Sequence, residues 1–321
     1  MRRRHLLLAT PALLPGLAHG QEAWPSRTVT MLVPWAPGGS NDITARLIAP
    51  ILSERLGQNF VVENRPGGGG SLGMGMVVRA RPDGHTLLFS SASNHVFHAL
   101  VAPDLGYDVR EALTGVAMVT DVPNVLVVHP SLGVRSVPEL LERIRATRGG
   151  MPFGSSGTAT SNHLAGELFR MLTGVELTHV PYRGGGPVAN DLIAGTIPMA
   201  FMNLPTVVGP AQAGRILVLG VGTAERVRIR PDLPTIAEQG VPGFAVRSWA
   251  GLFAPRGTPR AILERLSTEV RLALETPAIR ERLTALASEP IWMSPADTDA
   301  FVRAEFDRWG PVVREARVTT D

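Results

Sequence analysis

A polar loop near the start of the chain has the composition of an anion-binding turn. It lies between a β-branched stretch, residues 28–34, and an apolar-periodic segment, residues 40–56. A helix N-terminus offers free N–H groups and a partial positive charge, so this loop can hold an anion without a cationic side chain. The candidate ligand-binding residues are Trp35, Ala36, Pro37, Gly38, Gly39, Ser40, Asn41 and Asp42. The same spacing fits an ordinary turn, with Ser40 or Asn41 as N-cap and Asp42 paired to Arg46.

A second loop is rich in hydroxyl groups and also precedes a predicted helix. Amides and hydroxyls at a helix N-terminus are the donors that a carboxylate needs. The candidate residues here are Ser155, Ser156, Gly157, Thr158, Ala159, Thr160 and Ser161, and Ser91 and Asn203 complete the set. The alternative is a flexible Ser/Thr turn with one cap residue. Two such loops in two lobes predict a ligand gripped from both sides.

A glycine run contains two weak catalytic motifs. Gly68, Gly70 and Gly73 match GxGxxG, and residues 69–73 match GxSxG around Ser71. A dinucleotide site is disfavoured, because residues 64–67 separate the first glycine from the strand and no partner acid is identified. A periplasmic serine hydrolase that uses Ser71 with a His and an Asp stays open as an alternative function.

Four side chains have spacings that metal ligands use. His95 and His98 are three residues apart, and His163 and Glu167 are four apart. HExxH is absent and no third ligand is identified, so the sequence predicts no metal site and no cofactor. For His163 we expect a capping or packing role near the second loop.

The first residues have the pattern of an export signal. Arg2, Arg3 and Arg4 precede an apolar run, residues 6–14, that is too short to span a bilayer. We expect a signal peptide over residues 1–20, cleaved before Gln21, that uses the Sec or the twin-arginine route. The mature chain is therefore expected in the periplasm.

The charge composition excludes a nucleic-acid binder. All 31 basic residues are Arg, and the pI of the full sequence is near 10.3. The predicted leader carries three Arg and no acid, so 28 basic residues remain against 28 acidic ones. A mature chain of zero formal charge lacks the basic surface that binding to phosphates requires. The absence of cysteine also excludes disulfides and thiol chemistry.

Strands alternate with helices along most of the chain. The pattern predicts an α/β protein whose lobes each contain a mostly parallel sheet flanked by helices, with the ligand cleft between them. Strands are predicted at residues 86–90, 122–128 and 217–221, and helices at residues 40–56, 161–172 and 260–274. We expect lobe 1 to comprise residues 21–121 and 223–321, and lobe 2 residues 122–222.

Beyond these patterns, the chain resembles the Bug family, the extracytoplasmic solute receptors of tripartite tricarboxylate transporters. The motifs are residues 33–46 (VPWAPGGSNDITAR), 62–73 (VENRPGGGGSLG), 82–88 (PDGHTLL), 154–169 (GSSGTATSNHLAGELF), 179–186 (HVPYRGGG), 233–244 (LPTIAEQGVPGF) and 249–259 (WAGLFAPRGTP). The resemblance runs from about Trp24 to near the C-terminus.

This resemblance implies a type II-like periplasmic binding protein that closes on its ligand and catalyses nothing. It implies that the loops at residues 35–42 and 155–161 hold one carboxylate of the ligand. It also implies a small carboxylate ligand and membrane transporter subunits as partner. A receptor that signals to a sensor protein stays open as an alternative function, and we expect a monomer. Ala159 stands where Gly is common in the family, and Met202 where Asp is common. The loss of that acid predicts a pocket less suited to an amino group.

Overall fold

The computed structural model describes residues 24–102 and 105–319, and the predicted leader lies outside them. The strands are β1 (Val29–Val33), β2 (Phe60–Asn64), β3 (Thr86–Ser91), β4 (Leu113–Val128), β5 (Met151–Ser155), β6 (Leu177–Pro181), β7 (Met199–Asn203), β8 (Leu217–Val221), β9 (Arg247–Pro255) and β10 (Glu289–Pro290). The helices are α1 (Ser40–Leu56), α2 (Ser71–Val78), α3 (His98–Val101), α4 (Val109–Ala112), α5 (Val137–Arg145), α6 (Ser161–Thr173), α7 (Gly185–Ile193), α8 (Leu204–Gln212), α9 (Arg260–Glu275), α10 (Pro277–Ala285) and α11 (Pro295–Ala316). Residues Ser93–Phe97 form a π-helical turn after β3. The alternation that the sequence predicts is therefore present.

The strands form a mixed sheet in the order β2-β1-β3-β9-β4-β7-β5-β6, with β8 and β10 also paired to β4. Strands β2, β1 and β3 run parallel, and so do β6, β5 and β7. The pairs made by β4 and β9 are antiparallel. The sequence pattern predicted no strand at β9. Its residues are almost all buried, so its apolar run lacks the alternation that marks a half-buried strand.

One long strand joins the two lobes. Strand β4 is buried along its whole length; its first part pairs with β9 and β10, and its last part pairs with β7 and β8. The first lobe contains β1, β2, β3 and β9, and the second contains β5, β6, β7 and β8. The sequence predicted a strand only from Val122, but it begins at Leu113. The predicted boundary after Asp121 therefore falls inside a strand, and the three domain limits stay a prediction.

Three clusters of buried apolar side chains stabilise this arrangement. One lies between the first lobe's sheet and helices α1 and α9, and includes Ile48 and Leu266. A second lies within the second lobe and includes Leu192 and Val207. The third and largest contains residues of both lobes, among them Phe97 and Phe201. Burial of apolar surface on both faces of each sheet is what holds the parallel strands in place.

Helix ends are set by local sequence. Helix α6 begins after Thr160, whose hydroxyl accepts a hydrogen bond from the His163 backbone N–H, and it ends at Gly174 with φ 65°. The left-handed conformation at that end favours glycine. Among the described residues, no helix is long and apolar enough to cross a membrane.

Candidate functional site

A cavity of about 670 Å³ is lined by loops of both lobes. The predicted site residues that line it are Trp35, Ala36, Pro37, Gly38, Gly39, Ser40, Asn41, Ser91, Ser156, Thr160 and Asn203. Other lining residues were not among the site residues predicted from the sequence. They include Ser93, Asn162, Arg183, Gly184, Gly185, Gly186, Met202, Thr206, Ser248 and Ser288. The predicted residues that lie elsewhere are Asp42, Ser155, Gly157, Thr158, Ala159 and Ser161. The two loops predicted from sequence therefore meet at one cavity, but only part of each faces it.

The first loop brings the N-terminus of α1 to the cavity. Gly39 is the N-cap and makes no side-chain cap bond, so the predicted cap by Ser40 or Asn41 is wrong. The first intrahelical bond runs from Ile43 N–H to Gly39 O at 3.0 Å. Amides that precede this bond have no acceptor within the helix. The uncapped first turn can therefore donate to an anion in the cavity.

Asp42 supports this loop from behind. Its carboxylate is 4% exposed and accepts hydrogen bonds from Gly38 N–H and from Arg46 Nε, each at 2.9 Å. Burial acts to raise the pKa of Asp42, but these hydrogen bonds and the charge of Arg46 outweigh it and hold the pKa below its ordinary value. The predicted pair with Arg46 is thus confirmed, and Asp42 fixes the turn instead of lining the cavity.

Asn94 fixes the aromatic wall of the cavity. Its Oδ1 accepts hydrogen bonds from Trp35 Nε1 at 3.3 Å, from Ser91 Oγ at 2.9 Å and from Ser91 N–H at 3.0 Å. The Asn64 side chain donates to Trp35 O at 3.1 Å. Asn94 is buried in the π-helical turn, and its position in that turn carries no local sequence signal.

On the second lobe, a polar network ends at the cavity. Ser156 Oγ donates to Asn162 Oδ1 at 2.5 Å, and Asn162 Nδ2 donates to Asn203 Oδ1 at 3.0 Å and to Asn124 Oδ1 at 2.6 Å. Asn124 lies on β4 directly opposite Asn203 on β7. Since β4 belongs to both lobes, this network ties the second loop to the strand that joins them.

The remaining residues of the second loop shape it from within. Ser155 Oγ contacts the backbone of Gly157, and Ser161 N–H donates to Ser93 Oγ of the other lobe at 3.3 Å. Ala159 has a φ of 55°, the left-handed region that favours the family's glycine. The hydroxyls predicted to bind ligand thus partly satisfy the backbone of their own loop.

Arg183 is the one charged side chain in the cavity lining as the described ranges define it. It is exposed and makes no ion pair within residues 24–102 and 105–319. Helix α7 begins two residues later, after Gly184, which has no side chain to cap it. No acidic residue is found among the described residues of the lining. The cavity is therefore electrostatically suited to an anion.

His95 and His163, which have spacings that metal ligands use, serve packing and capping instead. His95 stacks on Phe253 with ring centroids 4.0 Å apart, and burial lowers its pKa to about 3. His163 accepts a hydrogen bond from Ala159 N–H at 3.2 Å, which confirms its predicted capping or packing role. No group of three or more potential metal ligands is found in the described part of the chain.

Ser71 lies at the start of α2, away from the cavity lining. Its backbone carbonyl accepts a hydrogen bond from the Tyr107 hydroxyl at 3.3 Å. Across the described ranges, no histidine ring is hydrogen-bonded to the Ser71 hydroxyl. The arrangement of nucleophile and base that a serine hydrolase needs is therefore not assembled there.

Comparisons with known proteins agree with this geometry. A family model described as "Tripartite tricarboxylate transporter family receptor" matches residues 44–318. BugT of Bordetella pertussis is 36% identical over 92% of this chain and 90% of its own length. A structure from R. palustris with adipate is 40% identical, with a TM-score of 0.83, and covers 92% of this chain and 99% of its own. MatC from Rhodopseudomonas palustris with bound malate is 33% identical, with a TM-score of 0.79, over 90% and 100% of the two chains.

Fold and cleft together define a two-lobed solute-binding protein. The chain belongs to the tripartite tricarboxylate transporter receptor family, TctC, which includes the Bug proteins. It is thus a receptor and not an enzyme, which removes the hydrolase alternative at Ser71. Receptors of this family are periplasmic and work with membrane transporter subunits.

Proposed function

We propose that this protein captures a small dicarboxylate between its lobes and presents it to the membrane subunits of a tripartite transporter. One observation carries the proposal. A cavity of about 670 Å³ has hydrogen-bond donors on both lobes, one Arg and no acid in its lining. Its volume lies within the range of roughly 300–1,000 Å³ that is usual for small-molecule sites.

The first carboxylate fits between the two loops. The uncapped amides of α1 lie on one side, and Ser156 and Thr160 lie on the other, where each hydroxyl donates to the ligand by turning from the loop acceptor that it now bonds. Amides held in place by a folded loop replace the hydration of an anion without further ordering of that loop. In this arrangement both lobes contact one ligand group, so binding favours the closed cleft.

The second carboxylate fits at Arg183 and the start of α7. These groups belong to the second lobe and are separate in sequence from both loops that hold the first carboxylate. A guanidinium matches a carboxylate in charge and in fork geometry. The similar proteins solved with adipate and with malate each hold a dicarboxylate, which supports this assignment.

An amino group on the ligand is disfavoured. Met202, 2% exposed, stands at the position where an acid is common in the family, and the rest of the lining contains no acid to pair with an ammonium. A buried ammonium without a partner costs several kcal/mol. Aspartate and glutamate should therefore bind more weakly than dicarboxylates of similar length.

Localisation, oligomeric state and partner are also part of the proposal. The predicted leader would send the chain to the periplasm by the Sec or the twin-arginine route. There we propose that it acts as a monomer that delivers its ligand to transporter subunits. A sensor protein is the alternative partner, and co-purification with each membrane protein separates the two.

Gly39 gives a sharp test of the anion site. Its φ of −73° fits proline, so Gly39→Pro removes one N–H with little change in the backbone. We expect calorimetry to show adipate affinity reduced about tenfold in this variant, the effect of one lost hydrogen bond to a charged group.

Gly39→Ala is the matched control. Its added Cβ would lie 3.6 Å from Ala36 O, an ordinary contact, and the N–H is kept. Affinity should stay close to that of the wild type. Equal affinity of the folded proline variant would contradict a role for the α1 amides. If no mono-, di- or tricarboxylate shifts the melting temperature while a neutral solute does, the carboxylate proposal is wrong.

A further inference from the structure

Two histidines stack against each other behind the second ligand loop. His163 is in the first turn of α6, and His179 is on β6. Their ring centroids are 3.6 Å apart and the ring planes differ by 8°. Neither residue lines the cavity. The proposed function uses neither ring directly, so their arrangement needs another explanation.

His163 holds the end of the loop that is nearest the helix. Its Nδ1 accepts the Ala159 N–H at 3.2 Å, which places the ring proton on Nε2, 3.8 Å from Glu167 Oε1. Ala159 has a strained φ of 55°. Such a conformation persists only when its surroundings fix it. The bond to His163 is one contact that does so.

His179 holds the other end of the loop. Its Nε2 is 2.6 Å from Ser155 Oγ, and the same hydroxyl contacts Gly157 N at 3.2 Å and Gly157 O at 3.1 Å. Thr160 Oγ1 also donates to Gly157 O at 2.7 Å. Through Ser155, the His179 ring thus sets the backbone of Gly157, beside the cavity residue Ser156.

His163 must stay neutral for its contact with Ala159, and the stacking of the two rings disfavours charge on both. A proton on Nδ1 of His163 would face the Ala159 N–H, and two charged rings 3.6 Å apart would repel. Burial lowers the pKa of His163 to about 3 and that of His179 to about 4, and the nearby His179 adds to the effect on His163. Glu167 is the acid near the pair, and it also contacts Arg170 at 2.9 Å.

We propose that His163 and His179 are positioning residues, which as a neutral stacked pair hold the loop at residues 155–160 in the shape that presents Ser156 and Thr160 to ligand. This inference rests on the proposed function for its ligand, but the loop geometry can be tested without one. The pair acts through Ala159 and Ser155 and does not contact the bound solute.

The first experiment uses ligand-free protein. Nitrogen NMR should show His163 as the Nε2–H tautomer, without titration above pH 5. Hydrogen exchange of the Ala159 amide should be about tenfold faster in His163→Leu, because its acceptor is lost. His163→Asn places an acceptor near the Nδ1 position and should restore slow exchange. Titration of His163 above pH 5, or unchanged Ala159 exchange in a folded His163→Leu, would overturn the proposal.

The second experiment measures adipate affinity by calorimetry. We expect a loss of about tenfold in His163→Leu and in His179→Leu, since the loop loses one fixing contact in each. His163→Asn and His179→Gln, which keep a polar atom at the bonded position, should bind nearly as the wild type does. Equal losses in the Leu and polar variants would contradict positioning by hydrogen bonds. If the wild-type protein binds neither adipate nor any other small dicarboxylate, the proposed function fails, while the exchange data still test whether the two histidines support the loop.

Discussion

At the scale of residues, charged side chains near the cleft divide into two kinds. Asp42 is buried, bonded and committed to the shape of its loop. Arg183 lines the cavity and makes no ion pair among the described residues. A cationic side chain that lines a cavity and makes no ion pair gains a partner when an anion binds beside it. We therefore expect Arg183 to determine the difference in affinity between dicarboxylates and monocarboxylates.

Replacing Arg183 should weaken the binding of dicarboxylates much more than that of monocarboxylates. We expect Arg183→Gln to lower adipate affinity roughly tenfold to a hundredfold, the effect of a lost charge-assisted hydrogen bond. Hexanoate affinity should change far less, because it lacks the second carboxylate. Calorimetry with both acids measures the difference.

Arg215 offers the control for net charge. It is exposed in the second lobe and does not line the cavity. Arg215→Gln changes the net charge by the same amount, so it tests long-range electrostatics alone. Equal losses for adipate in both variants, or equal losses for adipate and hexanoate in Arg183→Gln, would refute the second carboxylate site.

How much of the site the sequence could predict depends on whether its residues are contiguous. The first loop was predictable because strand, glycine turn and helix follow one another in residues 29–56. Asn162 and Arg183 reach the cavity only through tertiary packing, which local spacing does not encode. Ser155 was included for its hydroxyl, but that hydroxyl bonds to His179 and Gly157. The sequence shows which side chains can donate hydrogen bonds. Only the fold shows which of these donors already bond to other groups of the protein.

At the scale of elements, the antiparallel pair of strands β4 and β9 contains a buried acid. Asp121 on β4 is 5% exposed and lies opposite Trp249 on β9 and Glu289 on β10. Its Oδ2 is 3.2 Å from Arg247, while its Oδ1 has no hydrogen-bond partner in the described chain. Burial raises the pKa of Asp121 to about 6, with Glu289 and Glu305 adding to the rise and Arg247 opposing it.

This acid should make stability depend on pH. In the unfolded chain the carboxyl ionises near the ordinary aspartate pKa of 3.8, and in the folded chain its pKa is about 6. Between these values the folded state holds the extra proton, so the free energy of unfolding falls as pH rises through this range. The loss from this group is roughly 3 kcal/mol. Denaturant unfolding at pH 4, 5, 6 and 7 measures it.

Asp121→Asn isolates the contribution of that one acid. The amide resembles the neutral acid, so the variant should match the wild type near pH 4 and exceed its stability at pH 7. Glu305, whose pKa burial also raises, remains in both proteins, so the difference reports Asp121 together with its interaction with Glu305. A constant difference between the two proteins across this range would show that Asp121 keeps an ordinary pKa.

Helices with one apolar face could be predicted from the spacing of their apolar residues, whereas strands buried on both faces could not. Helices α6 and α9 match the predicted segments to within one residue, because their apolar positions recur at helical spacing. The first half of β4 and all of β9 escaped prediction. Both are buried on both faces, and a continuous apolar run does not identify a strand by periodicity.

At the scale of the whole molecule, one core joins the two lobes. Helix α11 packs against α6 of the second lobe and against β4. Trp309 of this helix is 1% exposed, with its ring centroid 5.0 Å from that of Phe97. Phe169 and Phe201 of the second lobe belong to the same buried cluster. The sequence predicted two lobes but not this shared core, because its members come from distant parts of the chain.

A shared core and a continuous strand predict that the lobes unfold together. All five tryptophans lie outside residues 122–222, so their fluorescence reports on the first lobe and the shared core, whereas far-ultraviolet circular dichroism reports on both lobes. The two signals should give one coincident transition in denaturant, since neither lobe keeps its buried surface without the other.

Trp309→Ala should lower the midpoint for both signals together and reduce the free energy of unfolding by about 3–5 kcal/mol. Trp292→Ala is the control, because that side chain is 41% exposed and its loss should cost about 1 kcal/mol. If the two signals change at different denaturant concentrations in the wild type, the lobes unfold independently and the shared core does not couple them.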